Sequence, residues 1–199
     1  MSSAEDLRPA LRERALRMSG GLSGAEREAL LVKCWMSHDA RWFMAVTAEC
    51  GLETANRLNK IAVHEAGKAE ARRIARALQL PPVRGLDDYL VVQELLISLL
   101  GPHLLDYEIT SDGDSEFQIN VERCFAHEQV VRAGVAETYD CGIFPRVTGW
   151  LEAFGLEYDM APSLGRCLKA QGRECAYTFR FRGTTPAPGV PTETAHGLR

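Results

Sequence analysis

The sequence predicts an α+β fold, with a helical N-terminal half packed on an antiparallel sheet, and three features carry that prediction. Up to about residue 103, apolar residues recur every three or four positions, the helical period. From Tyr107 onward apolar residues alternate with polar ones, the period of a strand with one buried face. Two helical stretches separate the strand pairs, so the C-terminal half reads β-β-α-α-β-β, with helices covering one face of the sheet.

The elements follow in chain order. Residues 1–22 are an N-terminal segment without an assigned element. Ser23-Gly24-Ala25-Glu26 matches a capping box, and Gly51 matches the stop of the helix it opens. Within that helix Leu31, Trp35, His38, Trp42 and Val46 share a face. A second helix runs from about Glu53 to Leu78 and ends before Pro81-Pro82. A third spans Leu86 to Leu100. Asp87 and Asp88 suit its positive end, and Gly101-Pro102 closes it. These make a helical region over 23–103.

Over 104–183 a compact α+β region is expected. Tyr107 and Ile109, then Phe117, Ile119 and Val121, form a hairpin around Asp112-Gly113. Phe125 to Val135 and Ile143 to Phe154 read as helices, the second stopped by Gly155. Leu156 to Met160 and Cys175 to Arg182 read as strands, the last with Cys175, Tyr177, Phe179 and Phe181 on one face. The Pro-, Thr- and Gly-rich tail over 184–199 is expected to be disordered.

Composition narrows the function. With 199 residues, 46% hydrophobic and 25% charged, the chain can bury a sizeable core. A net charge of -4 supplies no basic footprint, so nucleic acid is not an expected partner. The start, MSSAEDLRPALRERALRM, carries acids and no apolar core of a secretory signal. The longest apolar run, Tyr89 to Leu100, is interrupted by Gln93, Glu94 and Ser98 and is too short for a bilayer of roughly 20 residues. A cytoplasmic chain with no membrane partner is expected, and a homodimer is left open.

Six cysteines are many for a reducing compartment, and four of them, Cys124, Cys141, Cys167 and Cys175, lie in the C-terminal half. Each falls at or near an element end, where one sheet edge can gather them. His127 lies one turn after Cys124 and can join or replace it. Zinc takes about four such ligands. Small buried hydrophobes are the plain alternative. A third reading makes Cys141 or Cys167 a reactive thiol, which needs a nearby base or positive charge, here His127 or Arg166.

The series Cys141, then RCLKAQGREC over Arg166 to Cys175, then the strand AYTFRF, resembles the end of the 4-vinyl-reductase-type domain. The resemblance covers about Leu105 to Phe181. It implies a small-molecule-binding α/β unit with zinc held by these cysteines near an apolar ligand pocket. Where some members of that family carry an acidic ligand, this chain has Leu164, and Cys124 or His127 would fill the gap.

In the N-terminal half, Trp35, His38 and Trp42 share a face with Asp39 beside it. A histidine of near-neutral pKa there is a candidate acid or base, and a packed core histidine is the plain alternative. Asn56 and Asn59 are i, i+3 neighbours on the next helix. The order of these residues resembles a bacterial family related to L-2-amino-thiazoline-4-carboxylic acid hydrolase, over about Arg27 to Phe181. That resemblance implies a hydrolase opening a small cyclic amidine or thiazoline. His38 and Asp39 would be catalytic, and Trp35, Trp42, Asn56 and Asn59 would bind substrate. Arg41, Arg123 or Arg146 would receive its carboxylate. The alternative expectation is a zinc-stabilised small-molecule-binding domain without catalysis.

Overall fold

The structure, a computed structural model, describes residues 6–101 and 103–184, so the expected tail lies outside the described residues apart from its first position. The chain divides into two compact units, Met1–Arg41 and Trp42–Arg199, with the boundary inside a helix.

In the first unit, helix α1 spans Arg8–Ser19 with a proline in its first turn, where a missing N–H costs nothing. The sequence reading assigned this segment no element. Helix α2 spans Gly24–Cys50. It opens on the expected capping box. The Ser23 backbone N–H and hydroxyl both donate to Glu26 Oε2 at 2.8 Å, and the Glu26 N–H donates back to Ser23 Oγ at 3.2 Å. Gly51, at φ 80°, separates α2 from helix α3, Leu52–Leu78.

The second unit holds helix α4 over Leu86–Leu100, as its acidic first turn and terminal glycine predict. Strands β1, Leu105–Asp112, and β2, Glu116–Cys124, form the expected hairpin. Helix α5 spans Phe125–Arg132. The sequence reading carried it to Val135, but Gly134 takes φ 71° and turns the chain out of the helix. Helix α6 spans Phe144–Ala153, strand β3 Leu156–Ala161 and strand β4 Ala176–Thr184. The four strands form one antiparallel sheet in the order β1-β2-β4-β3, so the last strand inserts beside the hairpin.

Only one face of the sheet is dry. Phe117, Ile119 and Val121 on β2 and Tyr177 and Phe179 on β4 are buried, while Glu116 and Arg180 pair at 2.6 Å across the strands on the other face. Phe117 stacks on Phe179 with ring centroids 4.9 Å apart, and Phe144 of α6 sits 3.9 Å from Tyr177. Tyr89, Val92 and Leu96 of α4 join the same core. Helix α6 in turn packs on α3 at two glycines. A Cβ added at Gly149 would lie 2.3 Å from the His64 carbonyl oxygen, and one at Gly67 would lie 2.3 Å from the Arg146 carbonyl oxygen. Absent side chains let the two backbones meet.

One feature of the core is unfavourable. Tyr89 and Gln93, one turn apart on α4, are fully buried, and Tyr89 Oη, Gln93 Nε2 and Gln93 Oε1 have no hydrogen-bond partner among the described residues. A buried polar group left unpaired costs roughly 1–3 kcal/mol. Gln93→Met keeps the length of the side chain and removes the amide, so it should raise the urea midpoint. A lowered midpoint would show that the amide is paired in solution.

Among the described residues, no helix is long and apolar enough to cross a membrane.

Candidate metal centre

Two backbone pairings, each between segments distant in sequence, bring four cysteines to the wall of one cavity. Strand β2 carries Cys124 at its end, where the residue also caps α5 in extended conformation. The pairing of β2 with β4 places Cys175 alongside, through the Val121 N–H donating to the Cys175 carbonyl at 2.9 Å. Between α5 and α6 the chain returns past the loop that precedes β4. There Asp140 and Arg166 form an isolated bridge, the Cys141 N–H donates to the Gly165 carbonyl at 2.9 Å, and the Cys167 N–H donates to the Tyr139 carbonyl at 3.0 Å.

Cys124, Cys141, Cys167 and Cys175 are all buried, and all four line one cavity together with His127 and Tyr139. Its free space is about 20 Å³, counted as room for the centre of a water-sized sphere. One water needs roughly 10–15 Å³ on that measure, whereas a drug-sized ligand needs hundreds. The cavity admits an ion or a water, and a small organic molecule does not fit. His127 Nδ1 stands 3.9 Å from Cys167 Sγ.

The thiols feel burial and one another. Burial pushes Cys141 up to about 12, against the pull of the Phe144 and Ile143 backbone amides, with Cys124 and Cys175 adding to the rise. Cys175 is also pushed up to about 12, by burial first and then by Cys124 and Cys167, while the Lys169 ammonium opposes the rise. Cys124 is raised by burial and lowered by the amides of His127 and Ala126 at the start of α5. Tyr139 and Tyr177, which share this apolar wall, are raised by burial and by the neighbouring sulfurs. Among the described residues, no group of three or more His, Cys, Asp or Glu side chains is set, as it stands, to hold a metal ion.

A polar clamp on α3 holds the segment that carries Cys141. Asn56, buried, donates from Nδ2 to the Thr138 carbonyl at 2.7 Å and accepts the Asp140 N–H on Oδ1 at 3.1 Å. Lys60 Nζ lies 2.7 Å from Asp140 Oδ2, and Arg166 Nε lies 3.6 Å from Asp140 Oδ1. Arg166 also donates to the Thr138 carbonyl. Asn56, expected at a substrate, thus spends both ends of its amide on backbone beside Cys141. Asn59 is half-buried, and its Nδ2 and the Tyr139 hydroxyl would lie 2.8 and 2.6 Å from a Cβ added at Gly142. The two side chains therefore converge over the residue after Cys141.

The other expected residues lie elsewhere. His38 and Asp39 are exposed on α2, Trp42 is 65% exposed, and Trp35 is half-buried. None of the four lines the cysteine cavity, nor the open cleft that Glu94, Asp106, Tyr107, Glu108 and Glu122 form between α4 and β1. The three arginines considered for a carboxylate all have protein partners. Arg41 donates to the Ser37 carbonyl at 3.1 Å, Arg123 Nε lies 2.7 Å from Asp106, and Arg146 lies 3.2 Å from Glu70. Sequence reasoning missed Tyr139, Lys169 and the Asn56–Lys60 clamp. The only local hint was Asp140, an acid directly before a cysteine.

Comparison with known proteins gives one family. The description "family of unknown function (DUF6125)" matches residues 26–142, a span that includes Cys124, His127 and Cys141 and stops before Cys167 and Cys175. No curated protein matches the chain.

Proposed function

The chain belongs to the family of unknown function DUF6125, and on that footing we propose that it is a zinc-stabilised binding domain, non-catalytic at the metal, with Cys124, Cys141, Cys167 and Cys175 as ligands. One observation carries the reading: four thiols from four chain segments, with an imidazole beside them, line a single cavity large enough for an ion. That donor set is the one zinc prefers in closed, structural sites. Each thiol turns about one side-chain torsion, the freedom by which its sulfur would reach an ion. When bound, the ion would supply coordinate bonds tying the end of β2, the two segments around Cys141 and Cys167, and the start of β4.

The chain's own groups prepare that role. The backbone amides near Cys124 and Cys141 favour the thiolate form, and Lys169 does so at Cys175 and Cys124. The Asn56–Asp140–Lys60 clamp orients Cys141 from outside, as supporting hydrogen bonds do around metal ligands. His127, beside Cys167, is the alternative fourth donor. A hydrolase would need an acid and a base converging on a cavity, and the exposure of His38 and Asp39 favours the non-catalytic reading over it.

The test is metal analysis of the full chain purified under reducing conditions, followed by cobalt substitution. Expected are about one zinc per chain and the intense visible absorption of tetrahedral cobalt bound by thiolates. Cys141→Ser and Cys167→Ser should each lose most of the metal, while Cys34→Ser and Cys50→Ser, at exposed positions, should keep it. A reduced, folded chain that takes up neither ion would overturn the proposal. Turnover of a cyclic thiazoline, abolished by His38→Ala, would restore the hydrolase.

A further inference from the structure

Strand β1 is an edge of the sheet, with β2 on one side and no strand among the described residues on the other. Which of its backbone groups face outward follows from the next pairing. The Val121 N–H donates to the Cys175 carbonyl and the Phe181 N–H to the Ser115 carbonyl, so Phe117, Ile119 and Val121 direct their backbone groups toward β4. Opposite them on β1 stand Ser111, Ile109 and Tyr107. Facing residues in an antiparallel ladder either bond to each other or turn away together, so these three turn their N–H and C=O groups away from β2. Among the described residues, no backbone hydrogen bond engages that outer side. An open cleft of about 590 Å³, again as room for the centre of a water-sized sphere, runs along it. Ile97, Leu105 and Ile109 supply apolar wall there, and Glu94, Glu108 and Glu122 supply carboxylates.

We infer that this edge takes an extended basic segment of another protein as an added strand. Unpaired N–H and C=O groups on every second residue are the template that another strand completes, and such addition is a recurring mode of peptide recognition. A strand placed there turns alternate side chains toward the side of Ile97 and Ile109 and the others toward the side of Glu108, so apolar and basic residues must alternate along it. Charge selects the occupant. Asp106 is paired with Arg123 at 2.7 Å, whereas Glu108 and Glu122 are exposed and meet no basic side chain among the described residues. A second copy of β1 would set Asp106, Glu108 and Asp112 against the same three acids, and like charges across a strand pair repel. Residues 185–199 of this chain offer a single arginine and three prolines, which lack the N–H that a ladder needs. The inference rests on the binding role proposed above, for which it names a partner, and not on the metal.

The probe is a fluorescent octapeptide of alternating lysine and valine, titrated with the full chain at low salt and read by anisotropy. It should bind, while an octapeptide of alternating glutamate and valine should not. A version N-methylated at every residue keeps the charge, loses the ladder, and should also fail. Glu108→Lys combined with Glu122→Lys should weaken binding by about tenfold or more. Ser111→Pro, at an exposed position, removes one outward N–H and no bond to β2, and should weaken it too, with circular dichroism showing that both variants stay folded. A wild-type chain that ignores the lysine peptide overturns the inference. So does equal binding of the N-methylated peptide, which would leave charge alone as the attraction, or binding that the two lysine substitutions do not weaken. A dimer of the chain that Ser111→Pro abolishes would place a second copy on the edge and overturn it as well. Metal content is read on the same samples. Failure to bind with zinc present strikes the edge alone, and a folded chain that binds the peptide but never takes up metal strikes only the ligation.

Discussion

Gly149→Ala is expected to destabilise the chain by roughly 3 kcal/mol or more, the upper range for overpacking. Two effects oppose each other at this position. Alanine replaces glycine inside a helix, which alone gains about 1 kcal/mol. Against that, its methyl would lie 2.3 Å from the His64 carbonyl oxygen and 3.1 Å from the Lys68 nitrogen. Both are backbone atoms of α3, so no side-chain rotation clears the space and the two helices must part. Parting them also loosens the reciprocal contact of Gly67 with Arg146, and with it the packing that seats α6 against the sheet. Gly24→Ala is the control, because a methyl there meets nothing within 4 Å and only the helix preference remains. Urea midpoints of the two variants should therefore move in opposite directions. An unchanged midpoint for Gly149→Ala would mean that α3 and α6 do not approach this closely.

A second large effect is expected at high pH in the metal-free chain. Cys141 titrates near 9 when exposed and is pushed up to about 12 in the fold. Below pH 9 the thiol is neutral in folded and unfolded chains alike, and its contribution to stability is fully present. Between the two values only the unfolded chain gives up the proton, so stability falls as pH rises, by about 1.4 kcal/mol per unit from this thiol alone. Cys124 and Cys175 are raised in the same direction, and so, from a starting value near 10, are Tyr89, Tyr139 and Tyr177. Urea unfolding with chelator and reductant present, at pH 8 and about 10.5, should show the midpoint collapse over that interval. With zinc bound under the proposed ligation, the thiols contribute no such slope, because thiolates have already released their protons. A metal-free midpoint that does not move would place the sulfurs in contact with water.

Much of the fold was legible because its signals are local. Asp87, Asp88 and Gly101 mark both ends of α4 by their effect on a helix terminus, and Ser23 with Glu26 marks the start of α2 by two reciprocal hydrogen bonds. Alternation in β2 and β4 gave both the strands and their buried face, since side chains of a strand point to opposite sides by geometry alone. The overrun of α5 had a local cause as well, as Gly134 could have stopped the reading where it stops the helix.

What periodicity alone leaves open is whether an apolar face is covered. Leu31, Trp35, His38, Trp42 and Val46 share a face of α2 as their spacing requires, yet that face holds nothing buried, because burial depends on what the rest of the chain brings alongside. The candidate centre divides in the same way. Residue type and position at element ends singled out Cys124, His127, Cys141, Cys167 and Cys175 from the sequence. Their convergence was decided by the crossing of β4 beside β2 and by the bridge of Asp140 to Arg166, pairings between segments far apart in the chain. Backbone hydrogen bonds are the same at every residue, so a sequence encodes such long-range partners only through the whole packed structure that selects them. Asn56 illustrates the limit. Its type announced a polar need, and only the folded neighbour, the backbone from Thr138 to Asp140, showed that the need is met by holding a cysteine in place.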